Sequence, residues 1–323
     1  MNRVRRFAVL PIAMLVLAAC QAGGDDGSPA ESATAGSAEP MASHDMSSTA
    51  PASEGASGGA ACESGDADGL LAQICEAGVL VVSTDPAYPP QSFLNETTGE
   101  YEGFDIDVAT EIAERLGVEV EFTDPTFGAV VAGHWSGRWD VSVGSVTVTE
   151  DRKEVLDFTQ PYYFTPAQLS VHADSDAASV DDLAGETVCA GESTTYVFWI
   201  EGTLNLPEEA GEIAEVPEGM TATTLPTDID CAEAWRSGRT EDFAGWLTAL
   251  PTAQGAIDED YPVKLVGEPV FYEPLAVAFD KAAEDNDSLV AAVDAIIGEM
   301  HEDGTLTSLS EEWYEGVDLT TQE

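Results

Sequence analysis

The chain has 323 residues, 44% of them hydrophobic, and a formal charge of −50 from 11 basic against 61 acidic side chains. That much apolar material builds a core and leaves room for two lobes once polar ends are set aside. Such a charge repels phosphate and excludes nucleic acid as a partner. Its self-repulsion is screened over about 3 Å at 1 M salt against about 10 Å at 0.1 M, which suits a saline medium.

The N-terminus places Arg3, Arg5 and Arg6 before an apolar run from Phe7 to Ala19 that ends in "LAAC" at Cys20. The run is short for a bilayer span, and the small residues before the cysteine suit cleavage there. Residues 1–19 are therefore expected to be a lipoprotein signal peptide, with Cys20 acylated and the chain tethered to the membrane outside the cytoplasm. A plain secretory signal or a short anchor is the alternative.

Residues 20–65 consist largely of Gly, Ala, Ser, Asp and Glu. With almost no large apolar side chain they cannot offset ordering entropy, so they read as a flexible acidic tether. His44 with Met41 and Met46 is a copper-capable grouping there, and is read as linker composition. Setting Cys20 aside leaves Cys62, Cys75, Cys189 and Cys231, an even number in an oxidising compartment. Four cysteines allow three connectivities; sequence order favours Cys62 with Cys75 and Cys189 with Cys231, against free buried thiols.

From "CEAGVLVVSTD" onward, short apolar runs such as "VLVVS", "VEVEF" and "DVSVGSV" alternate with amphipathic stretches. This alternation predicts an α/β fold with a mostly parallel sheet covered by helices. Val108, Ile112 and Leu116 recur every fourth residue beside Ala109 and Ala113, predicting a helix that packs one face on the sheet and stops at Gly117. A second round of the same texture runs from "SVDDLAGETVCAGESTTYVFW" to "YPVKLVG". Residues 66–165 with 271–323 are expected to form lobe 1 and residues 166–270 lobe 2. Two proline-bearing stretches, "FTQPYYFTPAQLSV" and "EPVFYEPLAVAFD", read as paired crossings between them. The tail reads as two helices around a glycine turn, returning to lobe 1.

Five segments, "STDPAYPPQSF", "GEYEGFDIDVATEIAERLG", "GRWDVSVGSVTVTEDRKEVLDFTQPYY", "DLAGETVCAGESTT" and "HEDGTLTSLSEEWY", occur in an order that resembles the extracytoplasmic solute-binding proteins of ABC importers, family 3, the polar amino-acid-binding type. The resemblance implies a two-lobed, periplasmic-binding-protein-like (type II) fold with a two-stranded hinge that closes over a small solute and hands it to permease subunits. A monomer without cofactor or metal is expected.

Arg152 falls on the family's carboxylate-binding arginine, and its planar fork of donors can grip both oxygens of a carboxylate. Only eight basic residues remain once Arg3, Arg5 and Arg6 are removed, which makes an idle surface ion pair the weaker reading. Ser145, Thr147, Thr194 and Thr195 fall where the family offers donors from the two lobes. Tyr88 and Phe127 fall on its aromatic or apolar walls, with Asp85 at the mouth, where it could equally shape a turn. One departure stands out in "GRTEDFAGWLTALPTAQ". The family usually carries there an aspartate for the α-ammonium, and this chain supplies Trp246 by ungapped counting or Ala249 with an insertion. Glu192 or Asp85 could substitute. Trp246 could instead face an alkylated or delocalised cation, which keeps a betaine- or ectoine-like solute as runner-up to an amino acid. No paired metal ligands, nucleophile elbow or phosphate loop is present. A cyclohexadienyl-dehydratase-like enzyme on the same fold, or a stand-alone sensor or adhesion lipoprotein, is the alternative of another class.

Overall fold

A computed structural model describes residues 61–62 and 67–321. The expected signal peptide, Cys20, the His44 grouping and nearly all of the tether lie outside them. Helix α1 (Gly69–Ala77) leads into β1 (Val79–Ser83). A small sheet of β2 (Ala87–Tyr88), β3 (Ser92–Leu94) and β4 (Tyr101–Glu102) follows. Helix α2 (Phe104–Leu116) buries Val108, Ala109, Ile112, Ala113 and Leu116 and ends at Gly117, whose φ of 86° is open to glycine at little cost. Then come β5 (Glu119–Thr123), the short α3 (Phe127–Val131), β6 (Val141–Thr147) and β7 (Leu156–Phe158).

The long strand β8 (Tyr163–His172) opens the second round, with β9 (Thr187–Gly191), α4 (Thr195–Ile200), β10 (Thr221–Leu225), α5 (Ile229–Arg236) and β11 (Gly245–Ala249). Helix α6 (Leu250–Asp258), β12 (Val263–Leu265) and the long β13 (Phe271–Asp280) complete it. The tail forms α7 (Asp287–Glu302) and α8 (Thr305–Trp313), parted at Gly304 with φ 81°.

One sheet runs through both rounds in the order β10-β9-β11-β8-β13-β6-β1-β5, with β12 added on β8 and β7 on β13. Its outer strands pair in parallel, β1 with β5 and β6, and β9 with β10 and β11. The centre is antiparallel: β8 and β13 pair from Ala167↔Phe271 to Tyr163↔Leu275. These are the two proline-bearing stretches of the sequence, and they join the lobes.

The first core gathers Leu80, Val82, Ile112, Leu116, Val141 and Val143 with Leu289, Val293 and Ile297 of the tail, so the tail packs on the first lobe. The second lobe is covered on both faces. Val188, Ala190 and Leu247 pack with Tyr196 and Trp199 of α4 on one side. Cys189 and Trp246 pack with Trp235 of α5 and Ala253 of α6 on the other. Neighbours along a strand point to opposite faces, which is why adjacent residues of β9 and β11 divide between two clusters.

Both expected disulfides form. Cys62–Cys75 spans 5.3 Å between Cα atoms, and Cys189–Cys231 spans 6.0 Å and ties β9 to α5 across 42 residues of chain. By loop entropy the longer one contributes about 4 kcal/mol.

Candidate functional site

Between the lobes lies a cavity of about 440 Å³, including space open to solvent. Arg152 sits in it at the start of a 3₁₀ turn that follows β6, 4% exposed. Its Nη1 donates to the Thr147 carbonyl at 2.9 Å and its Nη2 to the Ser193 carbonyl of the other lobe at 3.0 Å. The guanidinium carbon lies 5.2 Å from the centre of the Phe127 ring. The Nε donor is buried with no partner among the described residues. Burial lowers the Arg152 pKa to about 10, opposed by the nearby Glu273, so the group stays charged at neutral pH.

Glu273 of β13 is the hub on the lobe-joining strand, 2% exposed. Its Oε1 accepts from Thr147 of the first lobe at 2.7 Å and from Thr195 of the second. Its Oε2 accepts from Tyr196 at 2.7 Å. The Tyr196 hydroxyl also meets that of Tyr88 at 3.0 Å, one phenol from each lobe. Hydroxyls serve here because each can donate to a carboxylate without adding charge.

Ser145 lines the cavity with its backbone in the left-handed region, φ 54°, a conformation that residues other than glycine adopt at a cost and that clusters at functional sites. Its donors are engaged. The hydroxyl donates to Asp105 at 2.7 Å and meets Tyr163, and the amide donates to the Tyr162 hydroxyl at 3.2 Å. Tyr162 in turn donates to Asp105 at 2.7 Å. Asp105 is wholly buried, and burial raises its pKa to about 7 against those two hydrogen bonds.

The other sequence candidates divide. Thr194 also lines the cavity, but its hydroxyl donates to the Gly191 carbonyl at 2.8 Å. Glu192 is exposed at the rim. Asp85 does both things expected of it: Oδ1 accepts from the Ala87 amide at 2.8 Å in a turn, and the residue lines the cavity. Trp246 does not line the cavity. It is 0% exposed in the second-lobe core beside Cys189 and Cys231, because β11 directs its side chain to the face covered by α5 and α6. Ala249 ends β11, so that strand end supplies no carboxylate.

Two cavity carboxylates, Asp228 and Glu273, escaped sequence reasoning, as did the Tyr196 phenol. Glu273 had a usable signal, a carboxylate near the start of the otherwise uncharged run "FYEPLAVAF". Asp228 had none that separates it from a helix-capping aspartate. It precedes α5, and its Oδ1 accepts from the Gly191 amide at 2.9 Å. A Cβ on Gly191 would meet its carboxyl carbon at 3.1 Å, so the glycine permits the approach.

Comparison with known proteins places this geometry. The family model of the bacterial extracellular solute-binding proteins, family 3, matches residues 80–316. The L-cystine-binding protein TcyJ of Escherichia coli (strain K12) is 31% identical over 256 residues, covering 78% of this chain and 88% of that one. Among solved structures, an ancestral arginine-binding protein bound to arginine aligns at TM-score 0.63 and 29% identity, over 73% of this chain and 98% of that one. An ancestral amino acid-binding protein, a precursor of cyclohexadienyl dehydratase, aligns at TM-score 0.64 and 27% identity, over 76% of this chain and 100% of that one. With a two-lobed α/β frame, a cleft lined from both lobes and a family match across most of its length, the chain belongs to the bacterial extracellular solute-binding proteins, family 3.

Proposed function

We propose that the chain is the substrate-binding component of an ABC importer, capturing an amino acid between its lobes as a monomer and delivering it to a membrane permease. The observation that carries this reading is Arg152, buried in the cleft with an unpartnered Nε and facing a cavity whose other charged groups are carboxylates. A zwitterion matches that polarity, its carboxylate toward the guanidinium and its ammonium toward the acids. Relatives named for L-cystine and arginine lend support. The betaine or ectoine reading loses its support from Trp246. Trp246 packs in the core, and the Phe127 face is already occupied by Arg152. The dehydratase alternative rests on the shared fold alone.

A thermal-shift screen in high salt, across amino acids, betaines, ectoines and organic acids, tests the proposal. Ligand at a hundred times its dissociation constant adds about 2.7 kcal/mol of stability. An amino acid is expected to raise the melting temperature most; a response confined to betaines or to organic acids lacking an amine overturns it.

Closure is proposed to rotate residues 66–165 with 271–323 against residues 166–270 about β8 and β13. Membrane attachment is proposed through lipid on Cys20, supported by the "LAAC" context. Among the described residues, no helix is long and apolar enough to cross a membrane. Cys20→Ala is expected to move the protein from the membrane to the soluble fraction with ligand affinity unchanged. Retention of the variant on salt-washed membranes would refute the anchor.

A further inference from the structure

The cleft is unbalanced in charge. Asp85, Glu192, Asp228 and Glu273 line it against Arg152 alone. A carboxylate seated on Arg152 brings one more negative charge, and a single ammonium only cancels the ligand's own. Glu273 spends its oxygens on Thr147, Thr195 and Tyr196. Asp228 is placed differently. It is 8% exposed, its Oδ1 is held by the Gly191 amide, and no hydrogen bond reaches its Oδ2 among the described residues. No Lys or Arg pairs with it there either. A buried carboxylate with an open oxygen is costly unless a cation meets it. Arg152 lines the same cavity, so an anion seat and a cation seat share one space.

Resting on the proposed capture of an amino acid, we propose that this cleft selects one whose side chain carries a second positive charge, with Asp228, assisted by Asp85, as the residue that selects it.

The groups facing Asp228 fix how binding depends on pH. Asp85 beyond β1, Glu273 of β13, Tyr88 of β2 and Tyr196 of α4 surround it, and Glu192 lies at the rim. Burial raises its pKa to about 8, the Gly191 amide opposing and Asp85 and Glu273 adding to the rise. At pH 7 Asp228 therefore holds a proton, and a cation settling against it expels that proton.

The test is calorimetry on the full chain with L-lysine, L-ornithine, L-arginine and L-glutamine, in two buffers of different ionisation enthalpy, from pH 6 to 9. The dibasic amino acids are expected to bind at least about tenfold more tightly than glutamine and to release close to one proton at pH 7. Their affinity should rise by up to about tenfold per pH unit below 8 and level off above it. Asp228→Asn keeps an acceptor for the Gly191 amide and should abolish the proton release and bring lysine affinity down to within about threefold of glutamine affinity. Asp85→Asn, at a half-buried position, should weaken dibasic binding in the same direction even if the first variant folds poorly. Glutamine binding as tightly as lysine, or Asp228→Asn retaining lysine affinity and proton release, overturns the selection while leaving amino-acid capture in place. If none of the twenty amino acids binds, the proposed function itself falls and takes this inference with it.

Discussion

Arg152→Met is expected to weaken binding of a carboxylate ligand by more than a hundredfold while the protein remains folded. The side chain makes two bonds to main-chain carbonyls, one in each lobe, and keeps a third donor unpartnered. Methionine can occupy the space beside Phe127, so packing suffers little. What disappears is the charge. A ligand carboxylate would be desolvated with no counter-ion, a loss of several kcal/mol for a buried pair. The bond from Nη2 to Ser193 also spans the cleft, so its loss favours the open arrangement and adds to the effect. Arg152→Lys should fall between the two, since an ammonium restores the charge without the planar fork. Titration calorimetry decides the matter: a methionine variant with an unchanged dissociation constant would remove Arg152 from the site.

The second large effect concerns stability against pH. Asp105 titrates at about 7 in the folded chain, and near 4 in an unfolded one. Between those values the folded protein holds a proton that the unfolded chain has released. The contribution of Asp105 to stability is therefore full below about pH 4, falls as pH rises towards 7, and is flat above, a loss on the order of 2–4 kcal/mol. Asp228 acts in the same sense up to about 8. Asp105→Asn is expected to flatten the part of the profile below 7 and to make the protein more stable than the parent at pH 8. An amide can still receive the Tyr162 hydroxyl and can donate to Ser145. Urea unfolding from pH 4.5 to 8.5 measures it, and parallel profiles for the two proteins would show that Asp105 is not the source of the slope.

Local structure was legible wherever a period or a stop signal carried it. The fourfold spacing from Val108 to Leu116 and the glycine after it define α2, and the two proline-bearing stretches are the central strand pair. Arg152 could be singled out because cations are so scarce in this chain. The rest of the cleft is assembled by topology. Asp85, Asp228 and Glu273 lie far apart in sequence and meet only because β13 returns to the middle of the sheet, which no local pattern announces. Trp246 misleads for a related reason: alternation along a strand says that neighbours face opposite ways, but not which face is toward the ligand when helices cover both.

The place of β13 has a further consequence, for the order in which the molecule can assemble. Residues 271–280 sit between β8 and β6, so a chain lacking them leaves two long strands with bare edges in the middle of the sheet. Such edges invite pairing with other chains. No early fragment can close the sheet, and the native topology waits on contacts between residues more than a hundred positions apart, the slow kind in folding. A nascent chain is thereby kept from settling into its final form until almost all of it has been made, the condition in which a polypeptide can still be threaded through a narrow translocation channel.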